Sequence, residues 1–99
     1  MRKVPKVVWR RLGKEWAWGM ATHDPRNPLI EIDPRLSPKR TLEVLTHESL
    51  HIALPDMSEA EVDRVGKAVS DVLWAQDYRR VVLGKHTTPV RISRSRRRR

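Results

Sequence analysis

The chain of 99 residues contains no cysteine and no phenylalanine, and it has no apolar run of the about 20 residues that a membrane span needs. Without cysteine, disulfide frameworks, thiolate zinc sites and thiol catalysis are excluded, so any metal must be held by His, Asp or Glu. No apolar stretch of signal-peptide length stands near the N-terminus. These absences predict a soluble, cytoplasmic protein. The single Asn and single Gln, together with proline-rich loops, are typical of thermophilic proteins.

Acidic residues are missing from the last part of the chain. Residues 79–99 hold nine Lys/Arg and no acid, whereas residues 1–78 hold 12 of each, so the formal net charge of +9 comes from the tail. Residues 91–99, RISRSRRRR, contain one apolar side chain and are predicted to be disordered. Such a run can bind nucleic acid through its phosphates, or it can serve only to keep the protein in solution. We therefore predict a domain over residues 1–84 and a basic tail over residues 85–99.

Three short apolar stretches predict β-strands in the first third of the chain. They cover residues 4–9, 16–20 and 29–32, and the turn-rich HDPRNP separates the last two. We expect a three-stranded, mostly antiparallel meander. The four tryptophans are expected to build the core in place of phenylalanine, although aromatic side chains can also stack on nucleic-acid bases.

Two helices are predicted after the strands. Ser37 and Pro38 form a typical helix start, and no Gly or Pro interrupts the chain until Pro55. This first helix is apolar almost all round, so it should lie between other layers. A second helix begins at Ser58, with Glu61 completing a capping box, and runs to about residue 78. The short connection predicts an antiparallel hairpin and an α+β fold overall.

The sequence HESLH, residues 47–51, carries the clearest chemical signal. On a helix, positions i and i+4 share one face, so His47 and His51 can hold one tetrahedral ion while Glu48 takes a proton from its bound water. Histidine pairs at this spacing can also be ordinary core residues. Burying three polar groups without a partner costs free energy, however, and this favours a metal, with Zn²⁺ as the predicted cofactor.

A catalytic zinc site needs a third protein ligand. The extended metzincin pattern is excluded, because Leu54 and Met57 occupy its glycine and histidine positions. The remaining candidates are the carboxylates of the connection and the second helix: Asp56, Glu59, Glu61, Asp63 and Asp71. In an antiparallel hairpin the start of the second helix lies opposite His47 and His51, so we predict Glu59 as the ligand and Glu61 as the reserve. Glu59 could alternatively be an acid favoured by the helix dipole alone.

Residues 29–74, with HESLH and the helix start SEAEV as their specific parts, resemble the very small gluzincin-like metallopeptidases found in phage genomes. The likeness to SprT-like and thermolysin-type zincins is more distant. This resemblance covers about half of the chain. It implies a minimal zincin-like fold, zinc ligands His47 and His51, the base Glu48, and a third carboxylate ligand from the second helix.

The sequence is therefore consistent with two functions. The first is a zinc-dependent metallopeptidase that hydrolyses peptide bonds of a peptide or protein substrate through a metal-activated water. In it, residues 29–32 would bind the substrate by edge pairing, and His23 or Tyr78 would stabilise the oxyanion. The second is a non-catalytic nucleic-acid-binding protein with a structural zinc site, in which residues 91–99 do the binding.

Overall fold

The computed structural model describes residues 3–13 and 18–81, which form a three-stranded sheet followed by two helices. The strands are β1 (Lys6–Trp9), β2 (Gly19–Thr22) and β3 (Leu29–Ile32). The helices are α1 (Pro38–Ala53) and α2 (Glu59–Ala75). This arrangement confirms the predicted α+β fold class. The predicted tail, residues 85–99, and the domain boundary at residue 84 lie outside the described residues.

The sheet is mixed, and its strand order is β1-β3-β2. β3 pairs with β1 in parallel and with β2 in antiparallel orientation. The predicted meander is therefore wrong, because the first strand joins the far side of the third instead of pairing with the second. The proposed role of β3 as a peptide-binding edge is also wrong, since both of its edges already carry strand partners.

The buried centre lies between the sheet and the helices. Ile30 and Ile32 alternate onto the same face of β3, and each is at most 1% exposed. Leu12 and Val62 are fully buried with them. Trp18 does not join this core, because 59% of its surface is exposed. The expectation that the tryptophans build the core is therefore wrong for Trp18.

A buried carboxylate fixes the segment after β1 to the end of β3. Asp33 is 1% exposed and accepts hydrogen bonds from the backbone N–H of Leu12, at 3.1 Å, and of Arg35, at 2.9 Å. The Arg35 guanidinium also donates to both of its oxygens. These hydrogen bonds from Arg35 hold the pKa of Asp33 far below its usual range. Asp33 therefore satisfies backbone donors that the sheet leaves unpaired.

Both helices begin as their sequences predict. The Ser37 side chain accepts a hydrogen bond from the backbone N–H of Arg40, with Pro38 in the first helical position. Ser58 and Glu61 form the complete capping box at the start of α2. Neither helix of the described residues is long and apolar enough to cross a membrane.

The helices form an antiparallel hairpin joined by residues 54–58. Contacts across it pair Lys39 with Asp71, Glu43 with Lys67, His47 with Asp63, and His51 with Glu59. The residue numbers rise along one helix and fall along the other, as an antiparallel pair requires. α1 is the middle layer, packed between β2 and β3 on one side and α2 on the other. It is less buried than its composition predicts, since Thr41 is its only buried residue.

Candidate metal centre

The last turns of α1 and the first turn of α2 bring three metal-ligating side chains together. His47 and His51 lie one turn apart on α1, and their Nε2 atoms are 3.2 Å from each other. The Glu59 carboxylate meets both imidazoles, with Oε2 at 3.0 Å from His47 Nε2 and Oε1 at 2.9 Å from His51 Nε2. One ligand atom from each of the three lies within 4.8 Å of the others.

These separations fit a single zinc ion. Zinc–nitrogen and zinc–oxygen bonds of about 2.0–2.1 Å at tetrahedral angles place neighbouring ligand atoms about 3.3 Å apart. The 3.2 Å between the two Nε2 atoms lies close to that value, and the Glu59 carboxylate approaches them with a different oxygen each, at 3.0 and 2.9 Å. Two imidazoles and one carboxylate also form a ligand set that zinc accepts, with a fourth position left for water. The three side chains therefore fit the ion in both chemistry and spacing.

Asp63 supports the orientation of the first histidine. Its Oδ1 lies 3.2 Å from His47 Nδ1, on the opposite side of the ring from Nε2. A carboxylate that accepts a hydrogen bond from Nδ1–H leaves the Nε2 lone pair free to bind a metal, and such partners are common behind zinc-bound histidines. The sequence pattern identifies Asp63 only as a candidate direct ligand. Its position four residues after Glu59, on the same face of α2, is the signal that indicates this supporting role.

Glu48 lies beside the cluster and faces β2. Burial raises the pKa of the Glu48 carboxyl, and the nearby imidazoles of His47 and His51 oppose that rise. β2 approaches α1 closely here because its first residue is Gly19. A methyl group on Gly19 would overlap Val44 Cγ1 and would lie 3.2 Å from Glu48 Cγ.

A cavity of about 400 Å³ opens next to His47 and Glu48. Its walls come from the sheet and from both helices and include Trp18, Val44 and Gly66. This volume lies in the range of about 300–1,000 Å³ that is typical of small-ligand sites. The cavity gives a bound molecule access to the side of the cluster on which Glu48 stands.

The other predicted site residues lie in different places. Glu61 is occupied by its capping hydrogen bonds to Ser58, and Asp71 pairs with Lys39 and Lys67 at the far end of the hairpin. His23 follows β2, with its ring centroid 6.3 Å from that of His51. Tyr78 lies beyond the C-terminus of α2, which is about 24 Å from Glu59 along the helix axis. The fold therefore brings His23 to the cluster and separates Tyr78 from it.

Comparison of the chain with protein-family models, curated proteins and solved structures finds no match. The resemblance to gluzincin-like metallopeptidases thus rests on the sequence motif, and the function must be argued from the side chains themselves.

Proposed function

We propose that this protein is a zinc-dependent metallopeptidase in which His47, His51 and Glu59 hold the ion. The observation that carries the proposal is the convergence of these three side chains from two helices, with ligand atoms close enough to share one metal ion. Within the described residues, no Lys or Arg side chain pairs with Glu59 or Asp63. A cation placed among the four side chains would balance these two carboxylates.

Zinc held in this way would lower the pKa of a bound water and polarise the carbonyl group of a peptide. Glu48 would act as general base and accept the proton of the attacking water at a carboxylate oxygen. It would then deliver that proton to the leaving nitrogen. Asp63 would keep the His47 ring in one tautomer through Nδ1. His23, whose ring centroid is 6.3 Å from that of His51, would lie beside a bound substrate. Tyr78, beyond the C-terminus of α2, would lie too far away to contact it.

A peptide substrate would bind along β2. This strand forms one edge of the sheet, packs against α1 and borders Glu48. Within the described residues its outer side has no strand partner. An extended peptide can add to such an edge through backbone hydrogen bonds, which would lay the scissile bond across the end of α1 that carries His47 and Glu48. The cavity beside Trp18 and Val44 would receive one side chain of the substrate.

The test is a comparison of the wild-type protein with Glu48→Gln, using zinc analysis and cleavage of casein. We expect Glu48→Gln to keep its zinc and to lose cleavage, because the amide cannot accept the proton. Glu61→Gln is the matched control. Glutamine preserves a capping box at that position, so cleavage and zinc content should both remain unchanged.

Two results would overturn the proposal. Zinc bound by both proteins without cleavage by either would indicate a structural metal site, as in the nucleic-acid-binding alternative. Wild-type protein that takes up no zinc would remove the metal site itself. A different outcome, loss of zinc in Glu61→Gln with retention in Glu59→Gln, would keep the metal site and identify Glu61 as the third ligand.

A further inference from the structure

The cavity beside the candidate metal centre continues along α1 to a second group of charged side chains. Its walls next to the centre include His47 and Glu48, and its walls further along include Arg40. These three residues lie on one face of α1, because residues seven or eight apart in a helix are separated by about two turns. Arg40 is therefore about 10 Å from His47 along the helix axis. One extended substrate can reach both ends of the cavity.

Arg40 is the surplus cation at its end of the hairpin. The charged side chains that meet there are three cations and two carboxylates: Lys39, Arg40, Lys67, Glu43 and Asp71. The two lysines lie 3.2 to 3.5 Å from the carboxylates. Arg40 comes no closer to a carboxylate than 3.7 Å, from its Nε to Glu43 Oε1, which is too long for a hydrogen bond. Its guanidinium donates no hydrogen bond to any other described residue.

The stability of α1 does not account for Arg40. The residue lies in the first turn of the helix, where the helix dipole disfavours a cation, and that turn contains no acidic residue. The Arg40 side chain is 57% exposed, so its long-range pairing with Glu43 contributes little to folding. Its position on the wall of the cavity instead makes the guanidinium available to a bound molecule.

β2 indicates the direction in which a peptide would pass these groups. Its first residue, Gly19, lies against Val44. His23, which follows the strand, lies near His51, so β2 runs in the same direction as α1. Antiparallel pairing is the more stable kind, and a peptide paired with β2 in this way would run from His51 towards Arg40. The residues after its scissile bond would then lie along the cavity.

The distance between the two ends corresponds to a short stretch of peptide. An extended chain advances about 3.4 Å per residue, so about three residues cover the about 10 Å between His47 and Arg40. The substrate group that suits a guanidinium is a carboxylate, which it can bind through two parallel hydrogen bonds.

We propose that Arg40 determines substrate specificity by binding a carboxylate of the substrate about three residues after the scissile bond. This proposal rests on the proposed peptidase function and adds the class of substrate. The carboxylate belongs either to the C-terminus of the substrate or to an Asp or Glu side chain, and the two sources share the same chemistry.

The experiment compares three synthetic mixtures of N-acetylated decapeptides that differ only in their carboxylate. The first mixture ends in a free carboxylate, the second in an amide, and the third in an amide with glutamate at one internal position. All other positions are randomised among uncharged residues, and mass spectrometry gives the rate and position of cleavage. We expect the wild type to release tripeptides from the first mixture. In the third mixture, glutamate should become the third residue after the cut.

The first and third mixtures should be cleaved about 5-fold faster than the second, as one partly exposed ion pair allows. Arg40→Gln should abolish this preference, because its amide carries no charge. Arg64→Gln is the matched control. Arg64 is exposed on α2 and is not part of the cavity wall, so its substitution should leave the preference intact. Zinc content and circular dichroism verify that both variants are folded.

The outcomes separate this proposal from the peptidase function. A preference for the first or the third mixture alone, lost in Arg40→Gln, supports the proposal and identifies the source of the carboxylate. Equal rates on all three mixtures would overturn it and leave the peptidase function standing. A preference that survives in Arg40→Gln would overturn it as well, since another side chain would then bind the carboxylate. Absence of cleavage in all mixtures would also overturn it, and casein in the same assay shows whether the peptidase function fails too.

Discussion

The two ends of the helix hairpin are both held by charged side chains, but their charges differ in kind. At the end near the start of α1, Lys39 and Lys67 pair with Glu43 and Asp71, so cations and carboxylates balance. At the end near residues 54–58, two carboxylates, Glu59 and Asp63, meet two imidazoles. At the first end the side chains balance each other's charge, whereas at the second end an added cation would balance the charge of the two carboxylates. This contrast explains why the ion pairs at one end of the hairpin only hold the two helices together, whereas the other end is a candidate metal centre.

Removing one carboxylate from each end should give the largest difference. Glu59→Ala is expected to lower zinc affinity by more than about 100-fold, since it deletes the proposed third ligand. Asp71→Ala should leave zinc affinity unchanged. Thermal unfolding with and without zinc is the measurement: zinc at 100 times its Kd should stabilise the wild type and Asp71→Ala by about 2.7 kcal/mol. Equal zinc stabilisation of Glu59→Ala would show that the contrast between the ends is wrong.

Asp63→Asn tests the contact between Asp63 and His47 Nδ1 at the candidate metal centre. We expect zinc still to bind, with an affinity lower by about 10–100-fold, because the amide holds the imidazole less strongly in the tautomer that the ion needs. Competition with a chelator of known affinity measures the change. An affinity equal to that of the wild type would mean that the contact between Asp63 and His47 Nδ1 plays no part in zinc binding.

Glu43→Gln tests the ion pairs at the end of the hairpin near the start of α1. The Glu43 side chain is 23% exposed and has Lys39, Arg40 and Lys67 around it, so we expect a loss of about 1 kcal/mol of unfolding free energy and no change in zinc affinity. Partial burial raises the pKa of Glu43, but the three cations outweigh it and the net shift is downward. A lowered pKa contributes stability above the ordinary carboxyl pKa, and this stability is lost as the pH falls through the lowered value.

The difference in urea midpoint between wild type and Glu43→Gln should therefore be full at pH 7 and shrink as the pH falls below about 4. A difference that grows on acidification would contradict the ion-pair explanation.

Gly66→Ala should have the smallest effect, because Gly66 lies between the two ends. A methyl group there would stand 3.5 Å from Leu50 Cδ1 and 3.6 Å from His47 Cα, which are ordinary contact distances. Alanine is also the better helix former, so the variant should be more stable by about 0.5–1 kcal/mol with unchanged zinc affinity. Chemical denaturation measures this. A destabilised variant would show that the helices are packed too closely here for a side chain.

Local sequence signals predicted the helices and most of the candidate centre. Ser37-Pro38 and the Ser58/Glu61 capping box define helix starts through contacts within four residues, and the positions of His47 and His51 follow from helical periodicity alone. Glu59 could be chosen among five acids because the short connection restricts which turn of α2 faces those histidines. That choice agrees with the position of Glu59 in the structure.

Strand order could not be predicted in the same way. Alternation shows that Ile30 and Ile32 share a face, but it carries no information about which strand pairs with which edge. The parallel pairing of β1 with β3 joins residues that are far apart in the chain, and Asp33, directly after β3, accepts a hydrogen bond from the backbone of Leu12 after β1. The role of Asp63 was missed for a related reason, since a spacing of four residues identifies a shared face but not the atom that a side chain will contact.

The short connection between the helices has one more consequence, which concerns the order of folding. The candidate ligands and Asp63 all lie within residues 47–63. They come together as soon as the short connection, residues 54–58, reverses the direction of the chain. The sheet instead has to join Lys6 to Leu29 across a much longer loop. Local contacts form faster than distant ones, so we expect the candidate metal centre to form before β1 pairs with β3. Zinc present during refolding would then stabilise the helix hairpin at an early stage and accelerate the formation of the native structure.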